Sequence, residues 1–454
     1  MFSNSYIYLL RSTNMNYLRQ SLNAFSGHEA VFKMRCSAGL RIKAYLPKRK
    51  FPGEIKDDGL SDSPKLVLSC VMPDTCIAIE LDHRIGGIPN TMGENGRRSL
   101  DSVAYLQTAL SYTNSFGNRR VRVTTLALQV TSSVQKLVGS ANFDSLTAFM
   151  IRQAIGDIFN KGSEGSLRHA RQEIMNKCVS ILASYRKHAQ VQVSPGQLIL
   201  PEALNMLPLF SLSLLKSRMF RSSRPAHSSS TCMPSPTADE RAFHLFYSCN
   251  VSPAMAMLSV HPNLYDLNDM PNDAGELVLL KPTQADDVYG QFEENESARY
   301  SYKAYIQLPP LINPSVAYIR PDGVYLLDDG FRFFFFVGRD VSIDARAEFL
   351  SFEEGSDRDA EKRHISISTS SDFGSRIWRV ISQLRKSYKC NTLNRCERPL
   401  YSPVIVVIGN GGAGFRTVID SSLEEDMIES LVDDENNYEE FLIEIFNRVK
   451  NLTM

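Results

Sequence analysis

The chain has 454 residues, of which 43% are hydrophobic and 22% charged, with 50 basic residues balanced by 50 acidic ones. That length exceeds one hydrophobic core and predicts roughly two to four domains, while the composition excludes a disordered chain. A formal net charge of zero gives no global field for nucleic acid or an anionic membrane, so any electrostatic recognition is local.

In chain order, a short helical lead at about Asn16 to Phe25 precedes an alternating stretch, Ala30 to Leu46. There Val31, Lys33, Arg35, Arg41 and Lys43 are set among Phe32, Met34, Leu40, Ile42 and Ala44, which predicts two strands joined by a turn at Ser37 to Gly39. Further strand-like runs are Lys65 to Met72, Thr75 to Leu81 and Arg119 to Val130; Ala104 to Thr113 reads equally as strand or helix. Together these predict an antiparallel β-sandwich.

From Asp144 the period changes. Leu146, Phe149, Met150, Ala154 and Ile158, then Leu167, Ala170, Ile174, Cys178, Ile181, Leu182 and Tyr185, recur at helical spacing, with Ser166 as cap of the second helix. A third helix, Glu202 to Phe220, carries no charge from Ala203 to Leu215 and so belongs at the centre of a helical domain. The Ser- and Pro-rich stretch Arg221 to Asp239 reads as a disordered loop. A final α/β segment has strands at Val324 to Leu327 and Phe331 to Val337 around an Asp328-Asp329-Gly330 turn. A helix follows at about Phe373 to Ser387, a strand at Val404 to Ile408 and a last helix at about Tyr438 to Val449.

Motifs for chemistry are few. The eight cysteines include no Cys-x-x-Cys pair, which predicts reduced thiols, a cytosolic setting and no metal site. No apolar run approaches the ~20 residues that cross a bilayer, and the opening MFSNSYIYLLRSTN has too short an apolar core for a secretory signal. Gly409-Asn410-Gly411-Gly412-Ala413-Gly414 is a literal G-x-G-x-x-G after a strand, but only ~40 residues follow it and no second βαβ unit is visible. It is read as a surface turn. No hydrolase, zincin or P-loop signature is present, and His28 and His261 are read as structural. Two basic clusters stand out, Arg119, Arg120 and Arg122 in GNRRVRV and Lys48 to Lys50 in a loop; each is either a solvated polar face or a docking surface for carboxylates. Asp420 to Glu444 carries eleven acids and no base, and is expected to stay off anionic lipid.

Several segments, taken in order, resemble one family, the cargo-selecting adaptor of the COPII vesicle coat (the Sec-twenty-four family). EAVFKMRCSAGLRIKAY and QTALSYTNSFGNRRVRVTTLALQV are similar to strand pairs of its β-sandwich. SLRHARQEIMNKCVSILASYRK and LNMLPLFSLSLLKSRMFRS resemble two helices of its all-helical domain, and VHPNLYDLNDM that domain's closing turn. LPPLINPSVAYIRPDGVYLLDDGFRFFFFVGRD resembles the opening of its gelsolin-like domain and NNYEEFLIEIFNRVK its last helix. The match runs from about Met15 to Asn451. The related GTPase-activating subunit of the same inner coat shares the RR-x-RVTT strand and is the nearest alternative; an actin-binding gelsolin-like protein is another.

The resemblance implies a multidomain α+β chain: residues 1–28 a remnant of the trunk domain's last helix, 29–133 the β-sandwich, 134–299 the helical domain with a 221–239 loop, and 300–454 the gelsolin-like α/β domain. The family's disordered head, zinc finger and trunk precede the matched region, which implies a fragment, an incomplete gene model or a shortened paralogue. It also implies no cofactor and, without the trunk, apolar surface on the sandwich. The implied function is non-enzymatic: selection of cargo for transport from the endoplasmic reticulum to the Golgi by binding short export signals. Implied partners are the GTPase-activating inner-coat subunit and cytosolic tails of cargo and SNARE proteins, with no nucleic acid. Localisation is cytoplasmic, with peripheral recruitment to the endoplasmic reticulum through the coat. Cargo-binding residues carried over are Leu110, Ser111 and Tyr112, with Arg120 and Arg122 nearby; Ser111 stands where relatives favour an apolar residue. Val418 stands where a second pocket has an aromatic one.

Overall fold

A computed structural model of the chain describes residues 26–37, 39–46, 54–56, 65–72, 75–83, 103–161, 164–188, 197–221, 236–268, 270–280, 303–315, 318–353, 364–386, 388–389, 395–396, 398, 402–408 and 438–453. The expected lead helix, the Lys48 to Lys50 cluster, most of the Ser/Pro-rich stretch and the glycine run lie outside the described residues. The chain divides into two compact units, Ser21–His261 with Glu424–Met454, and Pro262–Leu423 with Met1–Gln20.

The first unit opens with strands β1 (Gly27–Cys36), β2 (Leu40–Leu46), β3 (Glu54–Lys56), β4 (Lys65–Val71), β5 (Ala78–His83), β6 (Val103–Asn114) and β7 (Arg119–Gln129). Five form an antiparallel sheet in the order β3-β4-β1-β6-β7, and β2 pairs with β5 in a second sheet. The alternation read in β1 is the reason it sits centrally: Ala30, Phe32 and Met34 turn to the core, where they meet Tyr45, Leu66, Leu68 and Leu106. Phe32 and Tyr45 pack edge to face at 6.1 Å. The ambiguous Ala104 to Thr113 segment is a strand because it is paired on both sides, with β1 and β7.

The helical part follows as α1 (Val134–Gly139), α2 (Phe143–Lys161), α3 (Glu164–His188), α4 (Leu207–Lys216), α5 (Ala238–Asn250) and α6 (Pro253–Leu258). All ten residues of α4 are buried, which gives the uncharged segment its expected central place. The expected third helix is shorter than its apolar run, because Glu202–Leu204 forms a 3-10 turn and Pro208 sits in the first turn of α4. Ser166, expected as a cap, falls inside α3, which begins at Glu164. Helix α5 starts within the segment read as a loop. Thr237 accepts a hydrogen bond from the Glu240 N–H at 3.2 Å, the N-cap arrangement that starts it.

The last helix, Tyr438–Thr453, buries Phe441, Ile445 and Val449, one stripe at i, i+4 and i+8, and lays it against α3 and α4. The sequence expectation grouped this helix with the preceding α/β domain; the packing groups it with the helical part.

The second unit begins at Pro262, within the stretch expected to be helical. Its elements are β8 (Asn263–Asp266), β9 (Leu277–Leu280), β10 (Lys303–Ile306), β11 (Leu311–Ile312), β12 (Val324–Asp328), β13 (Phe333–Val337), α7 (Ile343–Phe349), β14 (Leu350–Glu353), β15 (His364–Ile367), α8 (Asp372–Lys386), β16 (Tyr388–Lys389), β17 (Arg395–Cys396) and β18 (Val404–Ile408). The main sheet runs β11-β8-β12-β13-β18, with β18 parallel to β13 and the other pairs antiparallel. Every residue of β12 and β13 is buried, which explains their unbroken apolar runs: both faces of the sheet are covered. On one face Phe333, Phe335, Val337 and Leu326 meet Ile377, Val380, Ile381 and Leu384 of α8; on the other Tyr325, Leu327, Phe334 and Phe336 gather with Leu264. The β12–β13 turn is set by Gly330 at φ +82° and by Asp329 Oδ1, which accepts from the Phe331 and Arg332 N–H groups.

Candidate functional site

The hairpin β6–β7 carries five of the six residues expected to bind. Its tip is fixed locally: Asn114 Oδ1 accepts from the Phe116 and Asn118 N–H groups, the Asn114 N–H donates to the Asn118 carbonyl at 3.0 Å, and Gly117 takes φ +80°. That turn sets the register Tyr112↔Arg120, Ser111↔Val121 and Leu110↔Arg122.

Side chains directly opposite share a face, so Leu110, Tyr112, Arg120 and Arg122 lie together on the core-facing side of the sheet. Leu110 and Tyr112 pack against the sandwich core, and the two arginines extend that face one strand beyond it, exposed. Neither arginine's side chain makes an ion pair or hydrogen bond among the described residues, which leaves two guanidinium forks two residues apart beside an apolar shelf. Ser111 lies on the opposite face with Val121 and Val31. Val418 lies outside the described residues.

Two features that support this face were not legible as functional in the sequence. A β-carbon added to Gly27 would stand 2.6 Å from Tyr112 Cδ2, so the ring occupies space that only glycine leaves open. Arg119 donates to the Glu29 carbonyl at 2.9 Å and to Thr113 Oγ1 at 3.0 Å, and so holds the β1 bulge between His28 and Val31, where Glu29 sits at φ +50°, against the hairpin. Of the three arginines in GNRRVRV, one is structural and two are available.

Among the described residues no group of three His, Cys, Asp or Glu side chains could hold a metal ion. Burial pushes the thiols of Cys178 and Cys249 up to about 12, so both stay protonated and inert as nucleophiles at neutral pH. Among the described residues no helix is long and apolar enough to cross a membrane.

Comparison with known proteins gives two consecutive family matches: the Sec23/Sec24 beta-sandwich domain over residues 27–131 and the Sec23/Sec24 helical domain over residues 142–258. Protein transport protein SEC24 C of Arabidopsis thaliana is 28% identical over 335 residues, 72% of this chain and 23% of that protein. SEC24 of Coccidioides immitis is 29% identical over 407 residues, 89% of this chain and 37% of that protein. Human Sec24A is 25% identical over 432 residues, 95% of this chain and 33% of that protein. The crystal structure of the human COPII-coat protein Sec24c shares the fold at a TM-score of 0.71 and 20% identity, covering 98% of this chain and 48% of the solved one. The chain thus spans about a quarter to two fifths of the length of these curated relatives. The sandwich, the helical part and the third, gelsolin-like α/β part together make the mixed α+β architecture expected. With both domain models matched in order and Sec24 relatives aligned over most of its length, the chain belongs to the Sec23/Sec24 family and corresponds to a carboxy-terminal portion of its Sec24 members.

Proposed function

We propose that the chain is a cargo-selecting part of the COPII coat, a non-enzymatic module that binds short export signals on the cytosolic face of the endoplasmic reticulum. The observation that carries this reading is the ordered likeness to Sec24 proteins over most of the chain. Its relatives bear the Sec24 name, which favours the adaptor over the GTPase-activating sister subunit as the role, and makes that sister its expected partner. The hairpin face supports the same reading. Leu110 and Tyr112 offer apolar contact, while Arg120 and Arg122 offer bidentate contact to carboxylates, as an acidic peptide signal needs.

Titration of the chain with an acidic export-signal peptide tests the face. Arg120→Ala combined with Arg122→Ala is expected to weaken binding about tenfold, the scale of two exposed charge pairs, and the loss shrinks at high salt. Equal affinity of the two proteins removes the basic face from the account.

A further inference from the structure

Helix α5 opens at Thr237-Ala238-Asp239-Glu240, an exposed hydroxyl with acids two and three residues further on. Serine/threonine kinases with basic substrate clefts recognise that charge pattern, in which carboxylates follow the acceptor hydroxyl. Other hydroxyl caps lack it: no acid follows Ser133 or Ser252 within three residues. The surroundings of Thr237 are also cationic. Arg241 stands one helical turn on, beside Thr237, and its backbone N–H donates to the Thr237 carbonyl at 2.9 Å. Its guanidinium donates to the Met219 and Arg221 carbonyls at 3.1 and 2.9 Å. Arg221, 6% exposed, donates in turn to the Lys216 carbonyl at 3.0 Å. Neither of these two side chains makes an ion pair among the described residues, and Glu240 is taken by Arg218 at 2.9 Å. Burial and the nearby charge of Arg221 hold Arg241 below the ordinary arginine range. Two guanidiniums are thus gathered on carbonyl dipoles without a carboxylate, which costs free energy that an added anion relieves.

We propose that Thr237 is a phosphorylation site for an acid-directed serine/threonine kinase, and that its phosphate pairs with Arg241 and locks the start of α5. In the modification Thr237 Oγ attacks the γ-phosphorus of ATP, and the bond from that phosphorus to the β–γ bridging oxygen breaks. ADP leaves, and the hydroxyl proton passes to the kinase's base. The product carries about two negative charges at neutral pH. Its oxygens take over the Glu240 N–H, which the free hydroxyl accepts at 3.2 Å, and face Arg241 across one helical turn. Because Arg241 rests on the Met219 and Arg221 carbonyls, fixing it ties α5 to the segment that follows the buried α4. The site lies in the helical part, on a different element from the β6–β7 hairpin, so the inference stands apart from cargo binding.

The test uses the full chain with ATP and recombinant casein kinase II, the sites mapped by tandem mass spectrometry and α5 followed by amide exchange. Phosphate is expected on Thr237. Asp239→Asn combined with Glu240→Gln keeps the hydroxyl and its cap, and is expected to slow incorporation there about tenfold. In the phosphorylated chain the first-turn amides of α5 are expected to exchange about tenfold more slowly at low salt, and the gain shrinks at high salt. Arg241→Gln is expected to take up phosphate as the wild-type chain does but to lose most of that slowing. Phosphate absent from Thr237, or incorporated there at a rate indifferent to Asp239 and Glu240, overturns the assignment. Slowing that persists undiminished in Arg241→Gln overturns the pairing with Arg241.

Discussion

Asp328→Asn is expected to destabilise the Pro262–Leu423 unit by about 3–5 kcal/mol, the cost of leaving one member of a buried ion pair without its partner. Asp328 and Arg398 are almost wholly buried, at 0% and 1% side-chain exposure. The guanidinium grips both carboxylate oxygens, donates to the Ser402 hydroxyl at 3.2 Å and lies over the Phe333 ring at 4.7 Å. Asp328 also accepts from the Gly330 N–H at 3.0 Å, so the same carboxylate ties the β12–β13 turn to the segment that leads into β18. Asparagine keeps the shape and removes the charge, which strands the arginine in a low-dielectric core. Trp378, the one tryptophan of the sequence, lies in this unit with its indole N–H on the Ile367 carbonyl at 3.0 Å. Urea unfolding followed by its fluorescence reads the change, and a shift below about 1 kcal/mol contradicts the account. Asp328→Leu combined with Arg398→Met is expected to recover most of the loss, because replacing both members removes the unpaired charge.

The second large effect is expected at Arg152, 2% exposed within α2. Its Nε donates to the Cys249 carbonyl at 3.1 Å and its Nη2 to the Val251 carbonyl at 2.6 Å. A cation thus sits on carbonyls that the end of α5 leaves without partners in the helix, where the helix dipole favours positive charge. Arg152→Met keeps the aliphatic stem but orphans both acceptors, at about 2–4 kcal/mol for two charge-assisted hydrogen bonds. Amide exchange in α5 is expected to speed up by roughly a hundredfold, and unchanged protection there contradicts the assignment.

The sandwich was legible where the period-two pattern was clean. Ala30, Phe32 and Met34 are core residues and Lys33 and Arg35 are not fully buried, as alternation requires. It was ambiguous at β6, because VAYLQTALSYTN mixes apolar and polar residues on both faces of a strand paired on both sides. Helices α2 and α3 followed from their stripes. Helix α5 was missed because its cap, Thr237, and its first two residues were read as the end of a Ser- and Pro-rich loop.

Long-range choices left no local mark. The stripe Phe441, Ile445 and Val449 announces a buried face but not which core receives it. Likewise NLYD of β8 is too short to reveal that Tyr265 pairs with Leu326 and Leu264 with Leu327 across about sixty residues of chain. At the candidate site, the alternation in RRVRV was enough to put Arg120 and Arg122 on one face. The register was needed to put Leu110 and Tyr112 beside them, Ser111 opposite, and to show that Arg119 is spent on Glu29 and Thr113.

The central claim, that this chain is a coat-type sorting module, is tested most directly by a pull-down of the folded chain from cytosol supplemented with SNARE cytosolic tails. The account predicts that the GTPase-activating inner-coat subunit and the tails are both recovered with it. Recovery of neither by a chain shown to be folded would contradict it.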